Sequence, residues 1–267
     1  MDSSVVWFIL IALLGVLGGW CGIVLGRGPA WQGRLAITIG VLCLITWAFL
    51  ARHPSVAVQL IPLSLLSRIE GTGAMPLFML VVGVAWSRGQ VTRQKRLAAW
   101  SAMLGLVYFV QGGMWMLQTT PATGFANQIE PVPVRQSQEY SCVAAASATA
   151  LNILHIYTTE AEMAELTETR PGVGATTIRA MNGLSRRLES TPYRVALIDI
   201  DYDKLDGLPM PALTPLQFEP GKRHMVTILD ADYRRVVLHD PIQGRLVMPL
   251  STFKAHYRGQ VIVFLPR

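Results

Sequence analysis

The sequence begins with a long apolar run, Val5 to Gly26, that contains 22 residues without a charge. A helix of that length can cross a hydrocarbon core of about 30 Å, because each residue adds about 1.5 Å. No basic residue precedes the run and further apolar stretches follow it, so we interpret it as an anchor and not as a cleaved signal. This part of the chain is therefore expected to lie in lipid.

Further apolar stretches predict that the anchor crosses the membrane several times. Leu35 to Leu50 and Leu97 to Gln118 are candidate spans, and Met75 to Trp86 has the composition of another. Val56 to Leu66 is ambiguous because Pro62 interrupts it. It can be the first part of that span, an interfacial helix or a re-entrant segment. We predict about four spans, with three or five as the alternatives.

The charges divide the chain into two regions of different character. Residues 1 to 120 contain 8 Lys and Arg but only 2 Asp and Glu, whereas residues 121 to 267 contain 15 of each kind. The net charge of +6 therefore belongs to the apolar region. Cations between apolar stretches usually orient membrane spans, so the basic balance does not predict a nucleic-acid partner.

The positions of the cations predict the orientation of the anchor. Arg27 and Arg34 lie in the first loop, and the loop before the last span contains a denser group: Arg88, Arg93, Lys95 and Arg96. Such loops remain in the cytoplasm, which with four spans places everything after Gln118 outside. We expect a multi-pass protein of the bacterial inner (cell) membrane whose C-terminal domain is periplasmic or otherwise extracytoplasmic. The loop with Arg52 and Arg68 argues weakly against this orientation.

Residues 121 to 134 are predicted to form a linker between the anchor, residues 1 to 120, and a soluble domain, residues 135 to 267. The linker contains Pro121, Pro131 and Pro133 among small and polar residues. The soluble domain is then about 130 residues long, which is an ordinary size for one domain.

The pattern of the soluble domain predicts helices followed by strands. Cys142 to Ile156 is alanine-rich and predicts a buried helix, a capping box of Thr159 and Glu162 begins a second helix, and a third runs from Thr176 to Leu188. Short runs rich in Val, Ile and Leu predict strands at Arg194 to Ile200, His224 to Leu229, Arg235 to His239, Leu246 to Met248 and Gln260 to Leu265. This order predicts an α+β fold with an antiparallel sheet.

One cysteine stands apart from the other two. Cys21 and Cys43 lie inside apolar runs, where cysteine behaves as a small buried hydrophobe, but Cys142 lies in the polar region. It follows Ser141, a favourable N-cap residue, and a helix N-terminus stabilises a thiolate. The alternative is that Cys142 is one more small residue of an alanine-rich core helix.

A histidine and an aspartate have the spacing of a catalytic pair. His224 begins one predicted strand, and Asp240 ends the next one, 16 residues later. A hairpin of two such strands would bring both side chains together, so that the imidazole can take a thiol proton while the carboxylate fixes its tautomer. Taken alone, each residue is better explained as a surface histidine or a turn aspartate.

Gln136 lies six residues before the cysteine. Its side-chain amide and the backbone N–H of Cys142 could donate hydrogen bonds to the oxyanion of a tetrahedral intermediate. Gln138 is the alternative residue for that role.

The sequence predicts neither a metal site nor a cofactor. His239 and His256 could join His224 as ligands, but their spacing matches no common zinc pattern and no second cysteine is nearby.

The combination of these residues resembles a known family. The segments RQSQEYSCVAAASATALNIL, GKRHMVTILD and VVLHDPIQGRLVMPLSTFKAHYRGQVIVFL are similar to the bacteriocin-processing peptidases, whose members typically cleave double-glycine leader peptides. The family has a Gln, a Cys six residues later, a His at a strand start and an Asp-Pro after the next strand. The resemblance implies a papain-like domain in which Cys142 is the nucleophile, His224 the base, Asp240 its orienting partner and Gln136 the oxyanion donor.

Two departures from the family pattern concern specificity and architecture. Ser141 and Val143 replace the usual Asp and Gly on either side of the cysteine, which affects the substrate groove and the leader specificity. The best-known members are also fused to an ATP-driven exporter. This chain has no GxxxxGK[ST] phosphate loop and is therefore not expected to be such a transporter itself.

The sequence thus predicts a membrane-anchored cysteine endopeptidase that cleaves a peptide or protein precursor, with a double-glycine-type leader site as the expected target. Its expected partners are the peptide substrate, the lipid bilayer and a separate export system. One alternative is a non-catalytic peptide-binding module that serves such an exporter. Another is a papain-like amidase or acyl transferase, which would use the same thioester chemistry on a different substrate.

Overall fold

The computed structural model describes residues 3–121, 124–129, 132–219 and 221–267. The chain separates into two compact units, Met1–Thr119 and Thr120–Arg267. The first unit is helical, and the second combines helices with one antiparallel sheet.

The first unit contains helices of very different lengths. They are α1 (Ser3–Arg27), α2 (Ala30–Arg52), α3 (Pro54–Leu60), α4 (Leu63–Ile69), α5 (Met75–Arg88) and α6 (Thr92–Gly113), with a 3₁₀ turn at Met114–Leu117. In the described part of the chain, three helices are long and apolar enough to cross a membrane: α1, α2, and α6 with its 3₁₀ turn.

The count of about four spans is not confirmed, because the remaining candidate is short. Helix α5 has 14 residues, which gives a length of about 21 Å against a hydrocarbon core of about 30 Å. The ambiguous region before it forms the two short helices α3 and α4, separated at Pro62.

Helices α1 and α5 pack closely because glycines remove side chains from their contact. A Cβ on Gly22 would lie 2.2 Å from the carbonyl oxygen of Leu80, and one on Gly83 would lie 2.2 Å from that of Gly19. Small residues allow such close approach of helix backbones in membranes. The short helix α5 is therefore held against the long helix α1 over much of its length.

Side-chain contacts show which helix ends of the first unit lie together. Arg88 at the end of α5 donates from Nη2 to the carbonyl oxygens of Gly28 (3.2 Å) and Pro29 (2.9 Å), in the α1–α2 loop. At the opposite end of α1, a Cβ on Gly113 would meet the Phe8 ring at 2.6 Å. The two cation-rich loops thus lie at one end of the unit, and α6 ends beside the start of α1.

The second unit is built on a six-stranded antiparallel sheet in the order β1-β6-β2-β3-β4-β5. The strands are β1 (Tyr193–Asp199), β2 (Ala212–Glu219), β3 (Lys222–Ala231), β4 (Arg235–Asp240), β5 (Gly244–Pro249) and β6 (Gln260–Pro266). The helices are α7 (Cys142–Ile153), α8 (Glu160–Leu166), α9 (Thr177–Arg187) and α10 (Leu250–His256). The predicted helices-then-strands arrangement is therefore confirmed for this unit.

The alanine-rich helix α7 packs on the sheet and fixes where Cys142 lies. All of its residues from Val143 to Asn152 are buried. Thr227 of β3 donates from its hydroxyl to the carbonyl oxygen of Ala146 at 3.1 Å, which ties the first half of the helix to the strand. Small side chains on α7 permit this close approach of helix and sheet.

Part of the predicted linker packs against helix α7. Val134 is buried, and its backbone N–H donates to the Thr149 hydroxyl of α7 at 3.0 Å. Residues 122, 123, 130 and 131 of the linker, including Pro131, lie outside the described residues. The division into a linker of residues 121 to 134 and a domain of residues 135 to 267 remains a proposal.

Candidate active site

Cys142 is the first residue of α7 and is partly buried. Ser141 occupies the N-cap position, as expected, but its hydroxyl makes no hydrogen bond to the helix N–H groups. The hydroxyl instead lies 2.6 Å from Oε1 of Glu160, on a different helix. The start of α7 is therefore fixed through a tertiary contact and not through a local cap.

His224 and Asp240 come together across the pair β3 and β4. His224 lies near the start of β3 and Asp240 ends β4, and the two strands are antiparallel neighbours. Nε2 of His224 is 3.0 Å from Oδ1 of Asp240, and their side chains are 17% and 3% exposed. This distance makes the imidazole and the carboxylate a close pair.

The surroundings of His224 favour its protonated form. Burial alone would lower its pKa, but the Asp240 carboxylate and the Cys142 thiol outweigh burial and raise the pKa from 6.5 to about 9. Cys142 therefore lies close enough to the imidazole to affect the pKa of His224. An imidazolium beside a thiol is the arrangement in which a thiolate is stabilised.

Asp240 is held by the turn that follows β4. The residue is buried, and its Oδ1 accepts hydrogen bonds from the backbone N–H groups of Ile242 at 2.7 Å and Gln243 at 3.1 Å. Burial would raise the pKa of this carboxyl, but His224 and these two N–H groups together lower it. The carboxylate is thus fixed in place and kept ionised beside the imidazole.

Gln136 lies beside the same turn, whereas the side chain of Gln138 is bound elsewhere. The backbone N–H of Gln136 donates to the carbonyl oxygen of Pro241 at 3.0 Å, which places it next to Asp240. Its Nε2 donates to the carbonyl oxygen of Gln138 at 2.9 Å. The Gln138 amide donates at 2.6 Å to the carbonyl oxygen of Gly124. Gln136 therefore lies beside the Asp240 turn, and its role as an oxyanion donor remains a proposal.

Sequence reasoning missed one residue of this region, Glu160. Its side chain is fully buried at the first position of α8 and accepts hydrogen bonds from residues just before Cys142. The predicted capping box drew attention only to Thr159 and Glu162, and Thr159 does accept a hydrogen bond from the Glu162 N–H at 3.1 Å. Nothing in the local sequence distinguishes the buried Glu160 from a glutamate that is exposed in the first turn of a helix.

The other histidines considered as ligands, His239 and His256, lie on β4 and α10. In the described ranges, no three His, Cys, Asp or Glu side chains gather as metal ligands would. His239 is buried in β4, and its pKa is lowered by burial and by Arg245. His256 has its Nδ1 3.2 Å from the carbonyl oxygen of Gln217.

Comparison with known proteins places the second unit in a family. An uncharacterized protein of Methanothermobacter thermautotrophicus is 33% identical over 134 residues, which are 50% of this chain and 88% of the relative. An uncharacterized protein of Methanothermobacter marburgensis is 28% identical over 134 residues, which are again 50% of this chain and 88% of the relative.

The solved structures that are similar to this chain include two peptidase domains. A double glycine motif protease from an AMS/PCAT transporter, in complex with the leader peptide, has a TM-score of 0.44 at 17% identity and covers 56% of this chain and 98% of its own. The peptidase domain of Streptococcus ComA, a bi-functional ABC transporter, has a TM-score of 0.45 at 15% identity, with 54% and 100% covered.

The family assignment rests on the match of the whole second half of the chain. The model of the Peptidase C39 family matches residues 131–267, which is the region that contains Cys142, His224 and Asp240. The resemblance seen in the sequence is thereby confirmed at the level of the family. The chain belongs to the Peptidase C39 family.

Proposed function

We propose that this protein is a membrane-anchored cysteine endopeptidase that cleaves a peptide or protein precursor at a double-glycine-type leader site. The observation that carries the proposal is the grouping of a helix-start cysteine with a buried carboxylate and a histidine whose pKa is raised to about 9. Each of these residues alone would be unremarkable in a protein interior. Together they are the groups that a papain-like mechanism requires.

The proposed reaction starts from an ion pair, in which the proton of the Cys142 thiol has already moved to His224. Because Nε2 of His224 faces Asp240, Nδ1 is the nitrogen that accepts the proton from Cys142. The thiolate then attacks the scissile carbonyl carbon and forms a C–S bond, while the carbonyl electron pair moves onto oxygen. The Gln136 amide and the Cys142 N–H donate hydrogen bonds to this oxyanion.

Collapse of the tetrahedral intermediate completes the first half of the reaction. The C–N bond breaks, and the leaving amine takes the proton from the His224 imidazolium. A thioester remains on Cys142. Water then attacks the thioester, with His224 as the base, and the released carboxylic acid leaves the thiol ready for another cycle. Asp240 holds the imidazole in one orientation and stabilises its charged form throughout.

Cleavage at a double glycine and the membrane anchor fit one biological arrangement. Members of this family typically process leader peptides of exported precursors, and an anchored peptidase would meet such a precursor at the membrane. A separate export system is therefore the proposed partner. The apolar helices α1, α2 and α6 support the anchoring, since each is long enough to cross a bilayer.

The test is peptide hydrolysis by the full-length chain in detergent micelles. A fluorogenic peptide with Gly-Gly directly before a coumarin amide should be cleaved, and the matched peptide with Leu-Leu should be cleaved far more slowly. Cys142→Ala should abolish cleavage, and His224→Asn should reduce it at least about a hundredfold. His155→Asn is the control, since His155 is exposed and has a φ of 61°, which asparagine tolerates.

A thiol-directed probe separates this proposal from a binding module. At neutral pH, an alkylating probe should label wild type at Cys142 faster than it labels a cysteine in a free peptide. Cys142→Ala reports any labelling of Cys21 or Cys43. A protein that binds the Gly-Gly peptide but neither cleaves it nor labels at Cys142 would be a binding module, and the proposal would be wrong.

A further inference from the structure

We propose that Glu160 is a positioning residue that holds the oxyanion-binding segment, residues 136–141, in its working geometry. The inference deepens the proposed function and rests on it. Glu160 is fully buried, and its carboxylate lies at the start of α8, outside the segment that it contacts. The carboxylate takes no direct part in the proposed reaction.

The contacts of Glu160 reach both halves of the segment. Its Oε1 accepts from the Ser137 N–H at 2.9 Å and from the Ser141 hydroxyl at 2.6 Å. Its Oε2 accepts from the Ser137 hydroxyl at 2.5 Å and from the Ala126 N–H at 3.0 Å. Ser137 directly follows Gln136, and Ser141 directly precedes Cys142. One carboxylate therefore fixes the neighbours of both groups that would bind the oxyanion.

Hydrogen bonds inside the segment carry this constraint further. The Gln138 N–H donates to the Ser141 hydroxyl oxygen at 3.1 Å, and the Gln136 side chain donates to the Gln138 carbonyl oxygen at 2.9 Å. The orientation of the Gln136 amide thus depends on a backbone that Glu160 holds. Oxyanion stabilisation depends on donors that are fixed before the reaction begins, so a loose segment would weaken catalysis without preventing binding.

The position of Glu160 is itself rigid. It follows Thr159, whose hydroxyl caps α8, and the buried Met163 and Ala164 anchor that helix in the core. A buried carboxylate is costly unless its oxygens accept hydrogen bonds, and here both oxygens are satisfied. A side chain that only had to fill this space could be apolar. Three of the four hydrogen bonds to the carboxylate come instead from Ser137 and Ser141, within the six residues that precede the nucleophile.

The experiment is a double-mutant cycle between Glu160 and Gln136, measured on the full-length chain with the Gly-Gly coumarin peptide. Glu160→Gln keeps the size of the side chain but replaces one acceptor oxygen by a donor. It should lower kcat roughly tenfold to a hundredfold while KM and the thermal unfolding midpoint change little. In the Gln136→Ala background, the same change should lower kcat by less than about threefold, because the group it positions is gone.

Two further variants keep the inference testable. Glu165→Gln makes the same chemical change at an exposed position of the same helix and should leave kcat unchanged. If Glu160→Gln does not fold, Ser137→Ala removes only one contact of the carboxylate at an exposed residue. It should show a smaller loss of kcat that again disappears in the Gln136→Ala background.

The outcomes separate this inference from the proposed function. If wild type is active and Glu160→Gln lowers kcat by the same factor with and without Gln136, the role is merely structural and the inference is overturned. The inference is also overturned if Glu160→Gln does not change kcat at all. If wild type cleaves the peptide no faster than Cys142→Ala, the proposed function itself is wrong and the positioning role falls with it.

Discussion

The protonation state of His224 gives the proposed mechanism a pH dependence with a defined sign. The pKa is raised from 6.5 to about 9, so the imidazolium persists through neutral pH and is lost as the pH rises through 9. Because the leaving amine needs that proton, kcat/KM should fall on the alkaline side near pH 9.

Asp240→Asn should move this alkaline limb to lower pH. The substitution removes the carboxylate that helps to raise the His224 pKa, so the imidazolium is lost earlier. Asp230→Asn, an exposed aspartate of β3, is the control and should leave the profile in place. An alkaline limb that is identical in wild type and Asp240→Asn would contradict the assigned role of Asp240.

The two glutamines should differ strongly when each is replaced. Gln136→Ala should lower kcat about a hundredfold, which is typical for loss of one oxyanion donor, while thiol alkylation by iodoacetamide stays unchanged. Gln138→Ala should have a much smaller effect, because its side chain is bound to the Gly124 carbonyl. A larger loss in Gln138→Ala would reverse this assignment.

The sequence predicts the positions of Cys142, His224 and Asp240 because each is tied to a local feature. A helix start, a strand start and a hairpin end can be recognised from neighbouring residues. Glu160 has no such feature. Its partners Ser141 and Ser137 are 19 and 23 residues away, so its role depends on how α8 packs against α7. Tertiary contacts of this kind are not encoded in any local pattern.

At the scale of elements, the glycine contact between α1 and α5 makes a prediction about the anchor. Gly22→Ala should lower the thermal unfolding midpoint of the detergent-solubilised protein by several degrees, since its Cβ would meet the Leu80 carbonyl oxygen at 2.2 Å. Gly15→Ala is the matched control, because its Cβ would meet only the flexible Met75 side chain at 3.2 Å. Equal midpoints for the two variants would contradict this packing.

Strand β2 was not predicted from the sequence, and the reason is physical. β2 lies between β6 and β3 in the middle of the sheet, yet it contains Pro215, which cannot donate a ladder hydrogen bond. Its polar residues also disturb the alternation that identifies a strand.

Helix α7 ends at Ile153, earlier than the predicted Ile156. The reason is that His155 adopts a φ of 61°, which no α-helix contains.

At the scale of the whole molecule, the charge pattern predicts the side on which the second unit lies. The loops with Arg27 and Arg88 lie at one end of the first unit, and the end of α6 lies at the other. If the cationic loops are cytoplasmic, the chain after α6 emerges outside. Alkaline phosphatase fused after Arg267 should therefore be active, and green fluorescent protein fused there should be dark.

A truncation provides the internal control for this orientation. The same reporters fused after Gly89, in the loop before α6, should give the opposite pair of signals. Active phosphatase after Gly89 together with fluorescence after Arg267 would place the second unit in the cytoplasm. Leader processing would then occur before export and not after it.

The most direct test of peptidase chemistry in this protein is detection of the thioester on Cys142. The full-length chain is mixed with a 4-nitrophenyl ester of a peptide that ends in Gly-Gly, quenched in acid and analysed by intact and digest mass spectrometry. Wild type should carry the acyl group on the peptide that contains Cys142, and the adduct should disappear as hydrolysis finishes. Ester turnover without an adduct, or an equal adduct in Cys142→Ala, would contradict the central claim.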